Sequence, residues 1–348
     1  MLFNSLSFTL FFIVVFFLYL VLKCKWQNRV LLLASCIFYA AWDWKFLSLI
    51  FISISTDYFC SIAIRGSDNE KIKKWLLILS IAVNLSILGL FKYFNFFSAN
   101  LTQLINLFGF SVQPYTINII LPIGISFYTF KTMSYTIDVY TGKIEPARNY
   151  LDYALFVIFF PLLLAGPIMR AGDLLPQIAS PRKLSRNKFY EGSYLIFWGL
   201  FQKIVVADNL ADIANSVFNG GPPYNGLKVL IALYAFAFQI YCDFSGYSNI
   251  ARGLGSYMGF NIMVNFNLPY FATNPQDFWQ RWHISLSNWF RDYLYYPIAL
   301  RMRKWGVWSS VFALMVTFIL CGLWHGAAWT FVAWGAYWGL LLILFKAL

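Results

Sequence analysis

Apolar runs long enough to cross a bilayer recur through this chain, separated by short charged breaks. A hydrocarbon core of about 30 Å takes roughly 20 apolar residues in a helix. Residues 6–22, 46–64, 75–91, 193–207, 227–243, 307–323 and 327–345 read as such spans, with 30–42 a shorter apolar run. Composition agrees: 11% of residues are charged and the mean hydropathy is +0.63, whereas soluble domains carry about 25% charged residues. The reading is an all-α polytopic membrane protein. About nine to eleven transmembrane or re-entrant helices would form one membrane domain over residues 1–348.

The charged breaks orient the chain. Lys and Arg outnumber Asp and Glu 26 to 14, an excess that in membrane proteins gathers on cytoplasmic loops. Loops 23–29 and 65–74 carry three and four basic residues, while the breaks at 43–45 and at Lys92 carry one each. This alternation predicts loops 23–29 and 65–74 in the cytoplasm and the N-terminus outside. No basic block with the spacing of a nucleic-acid site occurs. The apolar run from Phe8 to Leu22 has neither a basic lead nor a small-residue cleavage pattern, so it reads as a retained first helix. Five cysteines, Cys24, Cys36, Cys60, Cys242 and Cys321, lack CxxC spacing and read as small core residues.

The middle of the chain is less regular. Leu121-Pro122-Ile123-Gly124, Pro161 and Gly166-Pro167 interrupt apolar runs. Broken helices at membrane depth are tolerated where they are buried in protein or line a cavity. Residues 169–188 read as a polar basic loop, and 251–281 as a re-entrant or interfacial segment.

Chemistry concentrates near the C-terminal end. The chain has 2 histidines. His325 lies in the apolar stretch Gly322-Leu323-Trp324-His325-Gly326, and an ionisable group at membrane depth is a functional candidate by default. Gly322 and Gly326 are small enough for a helix or a substrate to approach closely. No Asp or Glu lies between Asp292 and Leu348, so no local carboxylate holds the imidazole charged, and it can accept a proton. A histidine satisfied between packed helices is the plainer alternative. His283 lies in the polar, aromatic run from Phe278 to Pro297. If that run is one helix, His283, Ser287, Phe290 and Leu294 share a face, and Asp277 and Arg281 are spaced for an ion pair. An interfacial amphipathic helix is the competing reading. Asp243, beside Ser245 and Tyr247, would shape a polar pocket or serve as a structural anchor, and Lys203 and Asp208 are placed to pair. No nucleophile elbow, phosphate-binding loop or metal-spaced cluster occurs, so a metal site is not expected.

Five ordered stretches carry a resemblance: LPIGISFYTFKTMSYTIDVYTGKI (121–144), FFPLLLAGPIMRAGDLLPQI (159–178), FQIYCDFSGYSNIARGLG (238–255), NFNLPYFATNPQDFWQRWHISLSNWFRDYLYYP (265–297) and CGLWHGAAWTFVAWGAYWG (321–339). The chain resembles the membrane-bound O-acyltransferases, most closely the bacterial branch that acylates surface polymers. The resemblance implies an O-acyltransferase in the bacterial cytoplasmic membrane. It would move an acetyl group from a cytoplasmic thioester, acetyl-CoA or an acyl carrier protein, to a polysaccharide or peptidoglycan hydroxyl. Transfer would be direct or through a secreted acetyltransferase partner, with no tightly bound cofactor.

The resemblance also implies that His325 is catalytic and His283 lies near it in a tunnel. Asn288, Ser287, Trp282, Asp243 and Trp324 are the expected substrate or tunnel residues. Relatives carry a further histidine where this chain has Trp338, and they continue beyond its C-terminal end, as a shortened chain would show. Transfer of D-alanine to teichoic acid, a flippase of an acyl or lipid-linked intermediate, and an inactive assembly scaffold remain alternatives.

Overall fold

The computed structural model describes residues 1–118, 120–223 and 225–347, with the side chain of Ala347 left aside. Sixteen α-helices follow one another among the described residues: α1 (Leu6–Val21), α2 (Cys24–Asp43), α3 (Leu47–Gly66), α4 (Glu70–Leu88), α5 (Phe94–Leu107), α6 (Ile125–Tyr140), α7 (Tyr150–Ile158), α8 (Ala171–Ala179), α9 (Arg186–Leu200), α10 (Asp208–Phe218), α11 (Gly226–Tyr257), α12 (Pro275–Arg281), α13 (Ile284–Phe290), α14 (Tyr296–Arg301), α15 (Val307–His325) and α16 (Trp329–Ala347). No strand occurs among the described residues. Five helical stretches are long and apolar enough to cross a membrane: Cys24–Gly66, Glu70–Leu107, Gly226–Tyr257, Val307–His325 and Trp329–Lys346.

Contacts divide the chain into two units, each built from two separate segments. One comprises residues 1–47 and 148–266, the other 48–147 and 267–348. The core of the first is the broken run read from Pro161 and Gly166-Pro167. Helix α7 stops at Ile158, a single 3₁₀ turn covers Phe160–Leu162, and every residue from Tyr153 to Leu163 is buried. The hydroxyl of Ser35 accepts the N–H of Phe160 at 3.1 Å, answering one backbone group that the break releases. Residues 169–188 are not all loop, because α8 occupies Ala171–Ala179. Arg182 anchors the segment after α8: its guanidinium donates to Tyr19 Oη (2.7 Å), to Gln27 Oε1 (3.0 Å) and to the carbonyls of Gln177 and Ile178.

Helix α11 is longer than the span 227–243 read for it, running 32 residues through a glycine-rich segment. The glycines serve packing. A Cβ on Gly199 would lie 2.6 Å from the carbonyl oxygen of Gly246, and one on Gly192 would lie 2.8 Å from that of Gly253. Glycine at these four positions lets α9 and α11 approach backbone to backbone.

The second unit is organised around α6. Asp57 on α3 accepts Ser80 Oγ (2.5 Å) and Asn84 Nδ2 (3.0 and 2.9 Å to its two oxygens) from α4. Asn84 Oδ1 accepts the hydroxyls of Ser53 and, at 2.9 Å, Thr132 on α6. Polar groups that would be costly in lipid are thus spent on one another, and they tie α3, α4 and α6 together. The two cytoplasmic loops read from sequence shrink. Lys25 and Arg29 lie in α2, and residues 70–74 form the first turn of α4.

Candidate active site

His283 owes its position to a break in the run read as one helix. Asn274 caps α12, its Oδ1 accepting the N–H of Asp277 at 2.8 Å, with Pro275 in the first turn. Arg281 Nε meets Asp277 Oδ1 at 2.7 Å, as the spacing predicted. The chain then turns extended at Trp282 and left-handed at His283 (φ 42°, ψ 54°) before α13 begins. That conformation costs about 1–2 kcal/mol for an L-residue. It overturns the shared face of His283, Ser287, Phe290 and Leu294, because His283 precedes the helix rather than belonging to it. Ser287 instead donates its hydroxyl to the Trp282 carbonyl at 3.1 Å, and the His283 carbonyl accepts the N–H groups of Leu286 and Ser287 at 3.0 Å each.

The two histidines differ in burial within the protein. His283, from the polar run, is 1% exposed. Its ring stacks near Phe127 at 6.3 Å and meets Trp324 edge-on at 6.1 Å. Ser285 Oγ lies 3.5 Å from Nδ1, at the outer limit of hydrogen bonding. His325, from the apolar run, is exposed. It ends α15, and its ring stands between those of Trp324 (5.0 Å) and Trp334 (5.1 Å). The flanking glycines serve a helix rather than a substrate. A Cβ on Gly322 would lie 2.1 Å from the carbonyl oxygen of Phe331, and one on Gly326 would lie 2.1 Å from the Phe331 ring, both on α16.

Trp324 brings the histidines together. Its indole touches both imidazoles and also packs on Phe127 (5.5 Å) and Phe130 (5.6 Å) of α6. Its Nε1 is buried without a hydrogen-bond partner among the described residues, as are Trp279 Nε1 and Thr317 Oγ1. Phe130 in turn stacks on Trp289 of α13 at 3.8 Å, and Trp289 Nε1 donates to the Phe130 carbonyl at 3.0 Å. Helix α6 therefore supports both α13, which comes after His283, and the turn of α15 that carries His325.

Other sequence-read residues divide. Ser287 and Asn288 line a cavity of about 440 Å³ together with Trp279, Arg291, Thr317 and Cys321, a size suited to small ligands. Trp282 packs against Phe278 at 5.6 Å, outside the lining of that cavity. Trp338 stacks face to face on Phe278 at 5.1 Å. Asp243 belongs to the first unit, where Lys203 Nζ lies 2.6 Å from it and 2.7 Å from Asp208. The expected pairing of Lys203 with Asp208 holds, and Asp243 joins it.

Sequence reasoning misses Lys92 and Tyr93, which read only as a break after a span. The structure continues the helix through a π-helical turn, Gly89–Tyr93, into α5. Tyr93 Oη donates to the Leu323 carbonyl at 2.8 Å, and Lys92 Nζ donates to the Trp324 carbonyl and, at 3.0 Å, to Ser126 Oγ on α6. A lone lysine in the aromatic run FKYFNFF was the available signal.

This arrangement sets two imidazoles against one indole in a helical membrane protein. A family model for the membrane-bound O-acyltransferases matches residues 84–348. The chain belongs to that family. Over its full length it is 43% identical to the probable alginate O-acetylases of Azotobacter vinelandii and Pseudomonas aeruginosa, spanning 69% and 66% of those proteins. It is 36% identical to the peptidoglycan O-acetyltransferase of Helicobacter pylori, covering 71% of it. The teichoic acid D-alanyltransferase of Bacillus subtilis is 31% identical over 66% of this chain.

Proposed function

We propose that this chain provides the catalytic site of an O-acetyltransferase in the bacterial cytoplasmic membrane. It would move acetyl from a cytoplasmic thioester, acetyl-CoA or an acyl carrier protein, to a hydroxyl of an extracellular polysaccharide or peptidoglycan. A secreted acetyltransferase partner would complete the transfer where the polymer is not met directly. The observation that carries this reading is the convergence of His283 and His325 on Trp324 within one unit.

In this mechanism His325 takes the proton of the acceptor hydroxyl as its oxygen attacks the thioester carbonyl carbon. The carbon–sulfur bond then breaks, and the imidazolium returns the proton to the departing thiolate. The exposure of His325 suits a base that an incoming hydroxyl must reach. His283, buried in the same unit, orients the donor, and Ser287 and Asn288 contact it from the cavity they line, whose walls include neither histidine. Donors aimed at the developing oxyanion are worth roughly 3–4 kcal/mol each. Acetyl is favoured over D-alanine because the O-acetylating relatives align with the whole chain, and the D-alanyltransferases with about two thirds of it.

The test is the alkali-labile acetyl content of the surface polymer in cells carrying His325→Ala at matched membrane abundance. Loss of a general base predicts a fall of about 10²–10⁴-fold. Wild-type acetylation in that variant, with ester-linked D-alanine also unchanged, refutes the role of His325. Loss of ester-linked D-alanine with acetyl unchanged selects the D-alanyl reading.

A further inference from the structure

Lys92 stands within a continuous membrane-length helix, where a cation is costly unless something at that depth uses it. Its hydrogen-bond partners among the described residues are Ser126 Oγ and the Trp324 carbonyl, and neither is a carboxylate. The faces of Tyr93 and Trp324 lie 5.7 and 5.5 Å from the ammonium, close enough for cation–π attraction. The charge therefore rests on the carbonyl end of α15, where a helix dipole favours a cation.

The last carbonyls of a helix have no partner within it. In α15 three are answered in succession: Gly322 by the N–H of Gly326, Leu323 by Tyr93 and Trp324 by Lys92. His325 is the next residue. Neighbouring side chains on an α-helix point about 100° apart, yet Lys92 and Tyr93 reach the same helix end. They share a π turn, and such turns recur at functional sites.

We propose that Lys92 is a positioning residue for acyl transfer: with Tyr93 it clamps the final turn of α15 and thereby sets the imidazole of His325 at the reacting position. This rests on the reading of His325 as the base. A role in folding alone would lower abundance and thermal stability and leave the rate per folded molecule intact. A positioning role lowers that rate and spares stability, because Lys92→Met removes a costly half-buried charge together with the hydrogen bonds it makes.

The experiment compares wild type, Lys92→Met, Lys92→Arg, Tyr93→Phe and His325→Ala in cells. It follows the rate at which acetyl esters appear on the surface polymer, normalised to membrane-inserted protein, with melting of the detergent-extracted proteins alongside. The expected loss for Lys92→Met is about 10–100-fold, as for a catalytic group displaced by about 1 Å. Lys92→Arg, which keeps the charge and its donors, should recover to within about fivefold of wild type. Should Lys92→Met fail to accumulate, Tyr93→Phe releases only the Leu323 carbonyl and should still lower the rate at unchanged melting. A wild-type rate in Lys92→Met beside an inactive His325→Ala overturns the positioning role and leaves the base assignment standing. So does a loss of rate in Lys92→Met and Lys92→Arg alike that tracks lost melting. Full activity in His325→Ala removes both assignments.

Discussion

Gly322→Ala tests how tightly the histidine-bearing helix is registered against its neighbour. The added methyl would lie 2.1 Å from the carbonyl oxygen of Phe331 and 3.0 Å from its carbon, whereas ordinary contact begins near 3.4 Å. Backbone cannot swing aside as a flexible side chain can, so α15 and α16 must part by roughly 1 Å, a displacement that in an active site can cost about 10²-fold in rate. Overpacking of this kind destabilises by about 1–3 kcal/mol. Gly339→Ala is the control on the same helix pair, since its methyl would meet the Met315 sulfur at 3.2 Å, the far part of a side chain that can move. Acetyl-ester formation per inserted protein and thermal melting in detergent are measured for both variants. Gly322→Ala should lose about two orders of magnitude in rate with a modest fall in melting temperature, and Gly339→Ala should lose little of either. Wild-type rate and melting in Gly322→Ala, or equal damage in the control, would refute the reasoning.

Four further outcomes are expected. His325→Gln, which keeps hydrogen bonding without basicity, should be nearly as inactive as His325→Ala, read as polymer acetyl content at matched expression. Tyr293→Phe removes the 2.6 Å hydrogen bond to buried Asp138; melting should show a loss of about 1.5–3 kcal/mol, the range for bonds to charged groups. Arg281, bonded to Asp277, and then the Thr273 N–H hold the Asp277 carboxyl below its usual range. Its contribution is therefore present above the unfolded value of about 3.9 and lost as pH falls through the folded one, so the acid loss of melting temperature should be shallower in Asp277→Asn. Single cysteines at 67–69, between α3 and α4, should resist impermeant thiol reagents added outside; labelling there would reverse the assigned orientation.

Much of the fold could be read because the bilayer restricts the alternatives. Apolar length located α1, α15 and α16 nearly to the residue, and Pro161 with Gly166-Pro167 correctly announced a broken helix. The failures share a cause. A π turn leaves no mark in periodicity over five residues, so Lys92 passed for the end of a span when it was the clamp on another helix. The left-handed residue at 283 is equally silent, because the flanking segments each look helical. The depth of His283 could not be read because residue type sets the average cost of placing a side chain, whereas neighbours decide the individual case: Phe127 and Trp324 cover it despite the polar run around it. Gly253 fell in the segment read as re-entrant because a glycine that admits another backbone has the same letter as one that ends a helix.

The backbone at His283 carries a consequence for any effort to engineer this protein. A left-handed residue without a side chain avoids most of the strain that histidine bears there, so replacement by glycine should raise stability relative to alanine by about 1 kcal/mol even as the imidazole disappears. Among small replacements of His283, selection for thermal robustness would thus favour glycine over alanine. A library ranked by melting alone would report the left-handed backbone at this position and nothing of what the imidazole does.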